Sequence, residues 1–208
     1  MTNRLPLVLL LFLFILASGC SPFYTQGPEK HFYWLQASRN QEQAQVSSLR
    51  TLRVQPFFIS EPFAGQELVV QTEPGRLAAE FNHRFFSPPA QMITESCRNW
   101  LARSALFSHV LPNAGPLPAD YLLQGRINAL YVDQTDPDQH QTVLDLEFLL
   151  WHQDAAPRTL LGQESFQRRS ELSSTQAAEA VQAWNQDLEN ILQELEEHIS
   201  VWLLPERL

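Results

Sequence analysis

Basic side chains are scarce in this chain. Its 208 residues hold 14 Lys and Arg against 23 Asp and Glu, a formal net charge of −9. The basic residues form no cluster, and nucleic-acid binding draws its affinity from such clusters, so the balance argues against a nucleic-acid partner. Catalytic signatures are missing too: no G-x-S-x-G, H-E-x-x-H, P-loop or G-x-G-x-x-G occurs. The histidines, at 31, 83, 109, 140, 152 and 198, never fall four apart, so a zinc site would need ligands from distant segments. Catalytic, cofactor and metal residues are therefore all expected to be none. Long apolar runs are absent after the first few residues, which excludes a later membrane-spanning helix. Cysteine occurs twice, as Cys20 and Cys97.

The one greasy run stands at the N-terminus. Arg4 precedes "LPLVLLLFLFIL" at residues 5–16, and the small residues Ala17, Ser18 and Gly19 lead to Cys20. The run falls well short of the about 20 residues that a spanning helix needs and has the anatomy of a signal peptide. Small residues before a cysteine resemble a bacterial lipobox, with Ala17 where an aliphatic residue is usual and Leu16 one place further out. Residues 1–19 are thus expected to be removed and the thiol of Cys20 acylated; the alternative is an ordinary cleaved signal with an incidental cysteine. Several acyl chains anchor a protein almost permanently, because each buried methylene is worth about 0.8 kcal/mol. Ser21 follows the cysteine, where an aspartate would resemble an inner-membrane retention signal, so the outer membrane, facing the periplasm, is the expected location. An acylated Cys20 cannot form a disulfide, which leaves Cys97 as a small buried apolar residue.

Residues 36–48, "QASRNQEQAQVSS", are polar and without period, and read as a tether; 20–48 is taken as anchor and tether, and 49–208 as one domain. Leu52, Val54 and Phe58 lie at even spacing, as in a strand. "ELVVQ" and "LAAEFNHRF" flank "EPGR", a hairpin with Pro and Gly at the centre of a type II turn. Ile93, Cys97, Trp100, Leu101 and Ala105 form one helical stripe, predicting a helix over 89–106 with Ser87 as N-cap. Leu123, Gly125, Ile127, Ala129 and Tyr131 alternate with polar residues, as do Leu144, Leu146, Phe148 and Leu150. "TLLGQESFQR" adds a weaker strand, giving an antiparallel meander with loops at 134–141 and 153–157. The first loop gathers Asp133, Asp136, Asp138 and His140, but without the spacing or glycine of a calcium loop, so a solvated hairpin tip is expected.

From 175 to 203 the residues Ala177, Val181, Trp184, Leu188, Ile191, Leu195, Ile199 and Trp202 mark a long amphipathic helix. Packing on the sheet is the primary reading and a coiled coil with a partner the other. Its second face carries Glu179, Asp187, Glu189, Glu194, Glu196 and Glu197, and an acidic face disfavours binding to anionic headgroups. The expected fold is α/β of the α+β kind: a mixed, largely antiparallel sheet covered by two helices in a single domain.

The order of lipobox, "FYWLQA", "LRVQPF", "HRFFSPPAQMITESCRNWLARSALFSHV", "ADYLLQGRINALYVD" and "VLDLEFLLW" resembles the ABC-type transport auxiliary lipoprotein family across the mature chain. Where that family often has tryptophan after its His-Arg pair, this chain has Phe85. The resemblance implies a non-enzymatic periplasmic accessory of an ABC transporter. Its partner would be a mammalian-cell-entry (MCE) domain protein and, through it, a permease and ATPase, moving phospholipid or other hydrophobic compounds between membranes. A lipoprotein subunit of another envelope machine, for outer-membrane protein or lipopolysaccharide assembly, is the alternative. Since MCE proteins form rings, a homo-oligomeric ring is a further expectation, with Arg50, Arg53, Arg168 and Arg169 meeting the acidic helix face of a neighbouring copy; the alternative is that all of these are merely solvated surface charges.

Overall fold

A computed structural model describes residues 28–39, 49–153 and 157–204. The strands are β1 (His31–Tyr33), β2 (Thr51–Val54), β3 (Phe58–Ile59), β4 (Glu67–Glu73), β5 (Arg76–Phe85), β6 (His109–Leu111), β7 (Tyr121–Asp136), β8 (Gln139–His152) and β9 (Thr159–Leu172). The helices are α1 (Pro89–Ala102) and α2 (Ala177–Trp202), and a short 3-10 turn spans Glu61–Phe63.

β7 organises the sheet. Along one edge it pairs antiparallel with β8 over its whole length, and β8 with β9 in the same sense. Along the other edge it takes β2, β3 and β4 in turn, each parallel and over only two or three residue pairs. β4 and β5 form the antiparallel hairpin, with Gly75 at φ 78°, the left-handed value that the third position of a type II turn requires. β1 then adds parallel to β5, and β6 parallel to β2. The result is the mixed, largely antiparallel sheet with two helices that the sequence predicts.

Alternation is clearest in β8, where Leu144, Leu146, Phe148 and Leu150 are all fully buried. All eight apolar residues of the α2 stripe are buried as well, so that stripe packs within the chain, against β8 and β9. Trp202 closes over Gly162 of β9 so tightly that a Cβ at that glycine would lie 2.1 Å from the indole. Phe85 fills the place expected of a tryptophan: it is 2 % exposed and its ring lies 6.0 Å from that of Trp184. Cys97 is free and fully buried in α1, and burial pushes its thiol far above the ordinary range, so it is the inert apolar residue expected.

Several expectations are corrected. The tether proposed for 36–48 is ordered through Arg39, and the packed fold starts at β1, not at Leu49: Leu35 is buried, and 36–39 are held by hydrogen bonds and an ion pair. The remainder of that tether, and Cys20, lie outside the described residues. Phe58 points to solvent while Phe57 turns inward onto Phe148, because the chain between β2 and β3, through Pro56, resets the alternation. An irregularity between Ile127 and Ala129 does the same in β7: beyond it Leu130 and Val132 are buried, not Ala129 and Tyr131. Pro88, not Ser87, is the N-cap of α1, with no side-chain cap bond, and α1 stops at Ala102, where the Ser104 hydroxyl donates to the Leu101 carbonyl. The hairpin tip is shorter than 134–141, since β7 and β8 run on to Asp136 and Gln139. Finally, Asp187 does not lie on an exposed acidic face: it is buried beside the sheet, accepting from Ser170 at 2.8 Å.

Candidate functional site: the N-terminal segment and its aromatic edge

Residues 31–39 enter the fold twice over. β1 pairs with the end of β5, where the Phe86 amide donates to the Tyr33 carbonyl at 2.8 Å. The following residues cross to α2: the Gln36 amide donates to Asn185 Oδ1 at 2.9 Å, and Asn185 Nδ2 donates back to the Trp34 carbonyl at 3.5 Å. Because two backbone groups and an asparagine do this work, no apolar period marks the segment in the sequence.

Arg39 closes the crossing. Its guanidinium donates to both carboxylate oxygens of Glu196 on α2, at 2.5 and 3.2 Å, and lies 5.3 Å from the ring of Trp100 on α1. Trp100 Nε1 donates to the same carboxylate at 2.8 Å. The Arg39 side chain is only 10 % exposed, so this pair is held in a partly dry setting where a two-pronged arginine–carboxylate contact is strongest. Two open clefts of about 420 Å³ each flank it, one between the segment and α1, the other between Trp100 and the outer face of α2. Glu196, placed by the sequence on the acidic second face of the helix, is thus the residue that joins the N-terminal segment to both helices.

On the outer side of the same segment three large aromatic rings stand in solvent. Phe32 is 57 % exposed, Trp34 49 % and Phe86 65 %. Phe86 touches both of the others, edge-on to Phe32 at 6.4 Å and tilted against Trp34 at 5.9 Å. Beside them the rings of His31 and His83 stack at 5.3 Å, and the Tyr33 hydroxyl lies 2.9 Å from His83 Nδ1. Burial, reinforced by the Glu80 carboxylate, holds the Tyr33 hydroxyl above its ordinary range, so it stays protonated and able to donate.

The charges expected to join neighbouring copies already have partners in the chain. Arg168 pairs with Glu194 of α2, and Arg169 with Asp133 at 3.4 Å. Arg53 donates to the carbonyls of Pro112, Asn113 and Leu117, and Arg50 is also engaged. The aspartates of the 133–138 tip serve their own turn: Asp133 accepts from the Thr135 amide and hydroxyl, and Asp136 from the Asp138 amide. Among the described residues no three His, Cys, Asp or Glu side chains lie close enough to hold a metal, and no helix is long and apolar enough to cross a membrane.

The model of the ABC-type transport auxiliary lipoprotein component family matches residues 33–196, from β1 to the last turns of α2. Among solved structures, a protein from Xanthomonas campestris is 18 % identical and superposes with a TM-score of 0.68, over 79 % of this chain and 92 % of that one. An uncharacterized protein gives 18 % identity and 0.62 over 82 % and 99 %, and a hypothetical protein from Chlamydia trachomatis 10 % and 0.50 over 74 % and 98 %. At these identities the likeness is one of fold. No curated protein sequence matches the chain.

Proposed function

Because this chain belongs to the ABC-type transport auxiliary lipoprotein family, we propose that it is anchored through acylated Cys20 in the outer membrane, facing the periplasm. There it serves an MCE-domain protein whose permease and ATPase move phospholipid or another hydrophobic compound between membranes. The family match carries the reading, since it spans nearly the whole folded unit. The signal-like residues 5–16 and the small residues before Cys20 support the anchor.

In this reading the protein works by binding, and ATP is hydrolysed by other subunits. A ring of copies facing an MCE ring belongs to the same proposal, but its contacts are not the arginine-to-helix pairs expected from sequence, because those charges are engaged internally. The outer edge of β9 offers another means: 14 residues long, it pairs only with β8 among the described residues, and such an edge is open to a neighbouring strand.

The test is to express the full chain, separate inner and outer membranes on a density gradient, and weigh the N-terminal peptide. The reading requires an acylated cysteine at position 20 in the outer-membrane fraction. A protein that sediments with the inner membrane, or whose Cys20 carries no acyl group, contradicts it.

A further inference from the structure

We propose that the exposed aromatic group of Phe32, Trp34 and Phe86, with Lys30 at its border, is a membrane-contact surface that settles into the headgroup region of the bilayer holding the anchor. The inference rests on the acylation of Cys20 but goes beyond it, since an acyl anchor on a tether leaves the orientation of the domain free.

Three observations carry it. First, the rings are assembled: Phe86 bridges Phe32 and Trp34, so half-exposed aromatic surface is gathered at one place instead of scattered. Trp34, with its indole N–H, is of the kind that favours the boundary between headgroups and acyl chains, and the two phenylalanines add apolar surface that can be buried beside it.

Second, the two segments that build the patch have a charge unlike that of the rest of the molecule. Residues 30–39 and 81–94 contain no Asp or Glu, although Glu29, Glu80 and Glu95 flank them, and they supply Lys30, His31, Arg39, His83 and Arg84. Lys30 is the chain's single lysine and is exposed. Three carboxylates lie nearby: Glu29, next to Lys30 in the chain, Glu67, which pairs with Arg84 at 3.1 Å, and Glu80 of β5, which acts on Tyr33. Exposed Lys30 is the group that would meet lipid phosphate in this arrangement, as a lysine does when its ammonium sits among headgroups.

Third, the place fits the tether. Cys20 lies eleven positions before His31, a span of at most about 40 Å of extended chain. The aromatic group sits on the first strand after that span and on the strand end paired with it. It is therefore the part of the folded domain nearest the anchor along the chain, and a tethered surface gains from high local concentration even where its contact is weak.

The experiment uses the full acylated protein, with the acyl group on Cys20 confirmed by mass, in vesicles of phosphatidylethanolamine and phosphatidylglycerol. Some of the lipid carries bromine near the top of its acyl chains. The emission of Trp34 is isolated as the difference between the wild-type protein and Trp34→Phe, a change that keeps an aromatic ring. The proposal expects this difference emission to be shifted to the blue and quenched by the bromolipid. It expects the quenching to be lost in Phe32→Ser/Phe86→Ser, with melting of that variant unchanged. Trp34 emission indifferent to the bromolipid in a protein shown to be acylated overturns the proposal, and is the result expected if a protein partner or a second copy covers the patch. Should Cys20 prove unacylated, the anchor fails by itself; vesicles added to that protein then decide the patch, quenching of Trp34 supporting it and no quenching overturning it.

Discussion

Trp184 shows what a single side chain does in this fold. It is fully buried, packs on Phe85 at 6.0 Å, and donates its indole N–H to the Val143 carbonyl at 3.3 Å. It therefore ties α2 both to β8 and to the end of β5 that carries β1. Truncation to alanine is expected to cost about 3–5 kcal/mol, read from urea unfolding of the domain. Gly162 is the complementary case. Its backbone is one that any residue adopts, yet the indole of Trp202 occupies the space a Cβ would take. Gly162→Ala should lose about 1–3 kcal/mol by overpacking. A neutral or stabilising result would mean that Trp202 moves aside freely. The importance of Trp184 is legible from its place in the α2 stripe; that of Gly162 is not, because nothing in the sequence says which strand passes beneath Trp202.

At the scale of elements, α2 carries two carboxylates with opposite responses to pH. Glu179, in its first turn, accepts from the Ser173 amide and from the hydroxyls of Ser173 and Ser174, and these bonds lower its carboxyl to about 2. Its folded value lies below the ordinary 4.5, so its contribution is present above pH 4.5 and is lost as the pH falls toward 2. Asp187 has the reverse sign. Burial raises its carboxyl above the ordinary 3.8 against the opposing effects of the Ser170 bond and the Arg168 charge. The stability linked to its protonation is present below 3.8 and is lost as the pH rises through the folded value. At pH 7, Glu179→Gln is expected to melt lower and Asp187→Asn higher than the wild type, both differences shrinking toward pH 3 in melting curves. A second element-level prediction concerns the crossing of 34–39. Glu196→Gln leaves the mostly buried Arg39 without its countercharge and should weaken local docking by about 1–3 kcal/mol. Amide exchange at 36–39 should speed up while the strands of the meander stay protected.

The same elements show what the sequence allows to be seen. A strand with both neighbours in place, such as β8, keeps its alternation from Leu144 to Leu150 and is legible there, and α2 is legible almost end to end. Alternation fails where the backbone resets its phase, at Pro56 and at the irregularity before Ala129. β1 and the segment to Arg39 were hidden for a different reason. Their attachment uses backbone amides, Asn185 and one ion pair across more than 150 positions of sequence, none of which leaves a period. The candidate site is therefore the part least visible beforehand. The aromatic residues 32–34 stand out as a cluster, but that Phe86 joins them follows only from the pairing of β1 with β5. Pairing of charges is invisible in the same way, which is why Arg168 and Glu194 were assigned to different copies.

For the molecule as a whole, the family fixes the class, a transport auxiliary lipoprotein component, and the fold gives a domain whose first described strand is β1, eleven positions after Cys20 in the sequence. The signal-like N-terminus, the aromatic edge beside Lys30 and the free edge of β9 then divide the surface by task. On the proposals above, one side meets the membrane and another meets neighbouring copies or partners. Cys20→Ala is expected to leave the protein unprocessed or released from the membrane, seen by fractionation and by loss of incorporated palmitate. The central claim, service to an MCE-type transporter, is tested most directly by isolating the tagged full-length protein from gently solubilised envelopes after crosslinking in cells and identifying what comes with it. The account predicts an MCE-domain protein crosslinked directly to this chain, with its permease and ATPase recovered alongside. Direct crosslinks to outer-membrane protein or lipopolysaccharide assembly factors, with no MCE protein among them, would contradict it.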